Sequence, residues 1–311
     1  MRVCLMIEGQ EDVGWDHWLA LATACDESGI EALFRSDHYL SVFGDADRGS
    51  LDAWATIGAL AAVTSRLRLG TLVSPATFRH PSVLAKMVAT ADHVSGGRVE
   101  LGLGAGWHEP EHTAFGFPFP PVGTRMEMLA EQLEVVHGTW GQGPFSFRGR
   151  HYTLDALEAH PKPVQQPHPP VIVGGHGGPA STRLAARWAD EYNTVYVAPD
   201  VCRQRRDRVE RAFAEAGRDP AVLTFSLMTG CLVGVDEGEV RFRANRVHER
   251  TGRDWTGGDT SHLVVGTVDA AVARLRAFEE AGVDRVMLQQ LLHEDLGMVR
   301  LIGREIVPAV R

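Results

Sequence analysis

The chain has 311 residues, 44% hydrophobic and 23% charged, ordinary values for a globular protein and enough to bury a sizeable core without covalent staples. Its 31 basic and 40 acidic residues leave a net charge of −9, which argues against nucleic-acid partners, whose binding depends on neutralising phosphates. Cys4, Cys25, Cys202 and Cys231 have no C-x-x-C spacing, the opening run 2–7 is too short for a signal peptide, and no stretch approaches the ~20 apolar residues of a membrane span, so a reducing cytoplasm is the expected compartment.

Short apolar runs alternate with amphipathic ones along the whole length. The runs predict strands over 3–7, 32–35, 67–72, 99–103, 171–173, 191–194, 223–227 and 285–288. Helices are predicted over 15–28, 51–64, 81–94, 124–139, 179–188, 199–216, 269–281 and 295–306. In the first of these, Trp18, Leu21, Ala22 and Cys25 form one stripe and Gly29 closes it. Strand–helix alternation means parallel strands with crossover helices, an α/β class. The first strand is followed by Glu8-Gly9-Gln10-Glu11-Asp12, which is no G-x-G-x-x-G dinucleotide fingerprint. Eight units without that fingerprint favour a closed (β/α)8 barrel, 1–311 as a single domain, over an open sheet.

Two stretches break the rhythm. Residues 141–170 are rich in Gly, Pro and His and contain a small hairpin over 145–152 with its turn at Arg148-Gly149-Arg150. Residues 236–262 are polar and charged. Both read as insertions of the kind that form lids or binding loops on the active face of a barrel. Arg241, Arg243, Arg246, Arg250 and Arg253 in the second read as a solvated helix face, with contact to an anion as the alternative. The basic run 203–211 is interleaved with Asp207 and Glu210 and reads as solvated too.

Chemistry is sought at the strand ends, where a barrel presents it. Asp37 and His38 follow the second strand. His38 is suited to proton transfer near neutrality, although an exposed loop histidine would look the same. Glu8 ends the first strand and reads as a solvated rim carboxylate. Leu72-Val73-Ser74-Pro75 ends the third strand as a bulge or a plain loop exit. Gly102, Gly104 and Gly106, with Ala105, would let a flat ring lie against bare backbone, with Trp107 and His108 beside it; tight packing is the other explanation. Gly174, Gly175, His176, Gly177 and Gly178 lead into Pro179 at a helix start, where converging N–H groups and the positive helix end suit a phosphate. The histidines are scattered, without H-E-x-x-H or paired His/Cys spacing, and no metal site is expected.

Ser36-Asp37-His38, Leu69-Gly70-Thr71, His80-Pro81, the block from Ala89 through Ser95-Gly96-Gly97-Arg98, Leu101-Gly102-Leu103-Gly104-Ala105-Gly106-Trp107, and Pro170-Val171-Ile172-Val173-Gly174-Gly175 together resemble the bacterial luciferase-like monooxygenase superfamily, most closely its branch using the deazaflavin coenzyme F420. The resemblance covers nearly the whole chain. It implies a (β/α)8 barrel with the cofactor at the C-terminal mouth, Asp37 and His38 beside the ring, and a non-prolyl cis peptide at Leu72-Val73 against its face. It further implies Gly104, Ala105 and Gly106 along the ring, and Gly174, Gly175, Gly177 and Gly178 on the phosphate. The implied activity is hydride transfer between F420 and a small organic substrate. The alternatives are an FMN-dependent monooxygenase fed by a separate reductase and a non-catalytic deazaflavin-binding protein. Homodimers are common in the superfamily. In its sugar-phosphate dehydrogenases the position of Trp107 carries a glutamate acid and that of Val42 an aromatic. Neither Glu109 nor Glu111 reads as a replacement for that acid.

Overall fold

A computed structural model describes residues 1–45 and 47–311. Eight parallel strands form the core: β1 (Arg2–Ile7), β2 (Ala32–Arg35), β3 (Arg68–Thr71), β4 (Val99–Gly104), β5 (Val171–Gly174), β6 (Glu191–Val195), β7 (Thr224–Gly234) and β8 (Arg285–Gln290). Each pairs with its sequence neighbours, and β8 returns to β1 through the register Arg2↔Arg285 to Ile7↔Gln290, so the sheet closes. All eight predicted strands are present. β7 runs on to Gly234 because Cys231–Gly234 acquire an additional parallel partner, Val264–Thr267.

The alternation within a strand explains closure. Along β1, Val3, Leu5 and Ile7 pack outward into the large core shared with the helices, whereas Cys4 and Met6 join Ala32, Phe34, Ile172 and Met287 in a separate inner cluster. Side chains two apart share a face, so one strand serves two cores. Near the strand starts the inner layer is ionic. Arg285 donates to Glu100 at 2.7 Å and to Glu191 at 3.0 Å, and Arg68 also bonds Glu100. Burial alone would push the Glu100 carboxyl up, but Arg285 and Arg68 outweigh it and carry it down to about 2.

The helices α1 (Trp15–Glu27), α2 (Ala53–Val63), α3 (Pro81–Ser95), α4 (Val122–Trp140), α5 (Pro179–Trp188), α6 (Pro199–Glu215) and α7 (Val268–Glu280) surround the barrel. Pro81 and Pro179 start α3 and α5, where a missing N–H costs nothing, and Gly96 ends α3 at φ +66°. The last helix extends beyond the predicted 295–306: after Leu296–Leu301 it widens into a π turn, Ile302–Ile306, and continues through Val310.

Both insertions differ from expectation. The first joins the end of α4 to the start of β5, so its two ends lie at the N-terminal face of the barrel, while its hairpin turn runs back along α4 to the loop after β3, where Tyr152 OH bonds the Ala76 carbonyl and packs edge-on to His80. Val164 and Gln165 bond Asp92 at the N-terminal face, and Gln165 also bonds the Val99 carbonyl. Its hairpin pairs Phe145–Arg148 with Thr153–Leu157, so the turn lies over Gly149–Tyr152, later than predicted, with the N–H groups of Arg150, His151 and Tyr152 donating to Glu131 of α4. In the second insertion, Glu237–Thr251 is a regular helix. Its arginines are only partly solvated: Arg243 is buried against Asp295 at 2.7 Å, and Arg250 donates to the Glu11 carbonyl.

No helix among the described residues is long and apolar enough to cross a membrane.

Candidate active site

A cavity of about 780 Å³ opens at the C-terminal ends of the strands. It is large enough for a ring cofactor and a small substrate together. The strand ends supply Glu8, His38, the segment Leu72–Pro75, Gly104–Trp107 and Gly174–His176, and α4 and α5 supply its far wall.

His38 reaches the cavity from the end of β2. Its Nδ1 lies 2.7 Å from Glu111 Oε1, and the other Glu111 oxygen accepts the Tyr39 N–H at 3.0 Å. Glu111 is fully buried on a short helix, Glu109–Phe115, that the sequence did not announce. Burial acts to lower the His38 pKa, but the hydrogen bond and charge of Glu111, with Glu8 and Asp37 nearby, raise it overall. Burial likewise acts to raise the Glu111 carboxyl, and His38 overrides it, so it is lowered. The buried carboxylate takes the Nδ1 hydrogen and leaves Nε2 as the atom available to a ligand. Trp107, 63% exposed, stands edge-on to His38 at 5.5 Å between ring centroids.

Asp37 does not line the cavity. It is buried, grips Arg79 through both oxygens at 2.5 and 3.2 Å and accepts Ser74 Oγ at 2.6 Å. The expectation places Asp37 beside a ring; in the structure its carboxylate instead ties the loop after β2 to the loop after β3.

The Leu72–Val73 peptide is cis, as the resemblance implied, and Val73 lies in the cavity wall. The glycines of β4 serve this bulge. A Cβ on Gly104 would sit 2.6 Å from Val73 Cγ2, and one on Gly102 would overlap the Thr71 carbonyl oxygen. Packing under Val73 therefore explains Gly102 and Gly104, while Ala105, Gly106 and Trp107 remain on the open wall.

At α5 the predicted glycine cradle is only partly free. The Gly175 N–H donates to the Asn193 carbonyl at 2.9 Å and the Gly177 N–H to Tyr192 OH at 2.8 Å, so these two are not ligand donors. Gly178 caps the helix without a side chain, and the first-turn N–H groups at Ala180 and Ser181 have no intrahelical partner. Ala180 and Ser181 line the same cavity, with Gly174, His176 and Gly178. So does Arg125 of α4, a residue the sequence reading passed over. It is buried over the Phe119 ring at 3.9 Å, its Nε has no hydrogen-bond partner, and no carboxylate among the described residues pairs with it.

Glu8 lines the cavity as well. Its oxygens accept Gln10 at 2.8 Å and Gln289, and Gln289 in turn accepts Tyr196 OH. Val42 and Phe43, from the long loop between β2 and α2, complete the rim. The one cluster with metal-ligand spacing among the described residues, His17, His293 and Glu294, lies outside this cavity. There Arg250 faces His293 Nδ1 at 3.3 Å. Arginine can only donate, which leaves the hydrogen on Nε2 and no lone pair for a metal.

The luciferase-like monooxygenase family model matches residues 3–285. The chain belongs to this family. Among curated relatives, an F420-dependent glucose-6-phosphate dehydrogenase from Nakamurella multipartita is 28% identical over 96% of this chain and 80% of its own length. An FMNH2-dependent dimethylsulfone monooxygenase from Pseudomonas putida is 30% identical over 60% of this chain and 50% of its own. The chain spans 58% of the length of the first curated relatives it matches. In fold it matches an F420-dependent secondary alcohol dehydrogenase solved with an F420-acetone adduct, at TM-score 0.83 and 23% identity over all of both chains.

Proposed function

We propose that the chain is an oxidoreductase that moves a hydride between coenzyme F420 and a small organic substrate, with His38 handling the accompanying proton. The observation that carries the reading is the His38–Glu111 pair: a histidine whose pKa is raised by a buried carboxylate, with its free edge toward a ring-sized cavity. Such a group holds its proton to higher pH than a free imidazole and can act as a general acid. Similarity over 96% of the chain to an F420-dependent dehydrogenase supports the choice of cofactor.

The residues fit a flavin-like group. Val73 offers an apolar surface, Ala105 and Gly106 beside it leave the wall low, and Arg125 with the first turn of α5 suits an anion. When bound, F420 supplies a two-electron hydride carrier. The protein holds donor and acceptor in register, excludes water with Leu72, Val73 and Met228, and exchanges a proton at His38 Nε2. Asp37, through Arg79, and Glu111, through Tyr39, hold the His38 loop in place.

Titration of the protein with oxidised F420 and separately with FMN tests the cofactor, and His38→Ala tests the chemistry. The expected result is tight F420 and weak FMN binding, with His38→Ala binding F420 normally and turning over at least about 100-fold more slowly. Tight FMN binding with substrate-dependent oxygen uptake would establish instead an FMN-dependent monooxygenase supplied by a reductase, a reading favoured by the FMNH2-dependent relative.

A further inference from the structure

Among the described residues, Arg253 at the mouth of the cavity has no carboxylate partner. Arg253, from the second insertion, lines the opening with its guanidinium exposed, 4.8 Å from the Phe43 ring and 5.9 Å from the Tyr196 ring. No carboxylate among the described residues lies within 4.0 Å of it, whereas Arg48, Arg79, Arg243 and Arg246 nearby on the same face are all paired. Glu8, the carboxylate in the same cavity, is taken up by the amides of Gln10 and Gln289.

The surroundings of Arg253 are built. Tyr196 adopts φ +48°, a left-handed conformation costly for a bulky residue, which persists only where the surrounding structure enforces it. The loops bearing Phe43 and Arg253 are fastened through Glu11. Its carboxylate accepts Ser41 Oγ and the Val42 N–H, and Arg48 donates to it at 2.6 Å. Arg48 also donates to the Arg250 carbonyl at 2.7 Å, three residues before Arg253. Phe43 and Arg253 are thus held across the mouth by shared bonds rather than meeting by chance. The remaining wall at this end, Val42, Trp107 and Met228, is apolar.

The geometry points to Arg253 as the reader of a carboxylate on the substrate, so that the substrate class is a small amphipathic acid: an apolar body between Phe43 and Trp107 and a single carboxylate at the mouth. This deepens the oxidoreductase reading and rests on it. The same guanidinium chemistry would accept a phosphate, and carboxylate is favoured because a single cation stands there, flanked by aromatic faces rather than by further donors.

Calorimetric titration of the cofactor-saturated protein with benzoate, benzamide and phenyl phosphate tests the assignment, using wild type, Arg253→Gln and Arg253→Lys. Benzoate is expected to bind at least about tenfold more tightly than benzamide, a gap that Arg253→Gln abolishes and Arg253→Lys partly restores. Equal or undetectable binding of benzoate and benzamide overturns the proposal, as does a preference that survives Arg253→Gln. Tighter binding of phenyl phosphate than of benzoate overturns the carboxylate assignment and makes the substrate a phosphate ester. Cofactor affinity, measured first, is expected to be the same in all three proteins. Failure of every one of them to bind F420 or FMN would defeat the oxidoreductase reading itself, and a lost acid preference with intact cofactor binding would defeat only the role of Arg253.

Discussion

His38 Nδ1 and Glu111 Oε1 are 2.7 Å apart although 73 residues separate them, and the carboxylate that makes this contact is fully buried. A histidine with a carboxylate on one nitrogen is fixed in tautomer and direction and holds its proton to higher pH than a free imidazole.

Replacing Glu111 with Gln removes the charge and keeps the shape. The His38 pKa is raised chiefly by Glu111, against burial, so the variant should lose its proton at lower pH. If protonated His38 is the working form, the basic limb of the pH–rate profile moves to lower pH, and turnover near neutrality falls by about 10- to 100-fold. A pH profile of kcat with F420 affinity measured alongside checks this. An unmoved basic limb would mean that Glu111 only supports the loop.

Arg125 should hold cofactor charge. Arg125→Met keeps the packing against Phe119 and removes the cation, and cofactor affinity should fall by about tenfold, with a weaker dependence on salt than in wild type. The thermal midpoint should fall only modestly, because the guanidinium loses one hydrogen bond, to the Pro120 carbonyl, and no carboxylate partner. Titrations at low and high ionic strength give both numbers.

The barrel was legible because its strands alternate between two cores. Val3, Leu5 and Ile7 against Cys4 and Met6 is a period that a sequence displays directly. The Gly-rich strand end, the phosphate-suited helix start and His38 were legible from residue type and position. Partnership was not. Glu111, Arg125 and Arg253 acquire meaning only when distant segments meet, and nothing local distinguishes Glu111 from Glu109. Asp37 looked catalytic because it precedes His38, yet β2 turns it down onto Arg79. Gly175 and Gly177 looked like free donors until Asn193 and Tyr192 claimed their N–H groups. Composition does not reveal that the first insertion is anchored at one face by Gln165 and reaches toward the other through Tyr152.

The bulge at Val73 depends on bare backbone beneath it. In Gly102→Ala the new methyl would overlap the Thr71 carbonyl oxygen, and backbone cannot step aside as a side-chain tip can. The variant should lose about 1–3 kcal/mol of stability and bind cofactor more weakly. Gly58→Ala, where nothing lies within 4 Å, is the control and should match or slightly exceed wild type. Denaturant melts and cofactor titration of the two proteins test the difference; equal behaviour would remove the packing explanation for the glycines of β4.

The ionic layer at the base of the barrel carries the strongest expected effect on folding. Arg285 bonds Glu100 and Glu191, both buried with it; it holds the Glu100 carboxyl down, whereas burial and the Glu100 charge keep that of Glu191 raised. Arg285→Met leaves the Glu100 carboxylate without its main counter-ion, and breaking a buried pair from one side costs about 3–5 kcal/mol. The pH dependence follows from the direction of the Glu100 shift. Its carboxyl falls from an ordinary 4.5 to about 2, so the folded state binds its proton less readily than the unfolded chain. The stabilisation from Glu100 is therefore fully present above about pH 4.5 and is lost as pH falls toward 2. In Arg285→Met the Glu100 carboxyl loses its first source of depression, and burial then favours the protonated form. The variant should accordingly lose less stability than wild type on acidification from pH 6 to pH 4. Urea denaturation at the two pH values measures this, and parallel losses in the two proteins would show that Arg285 does not set the Glu100 charge.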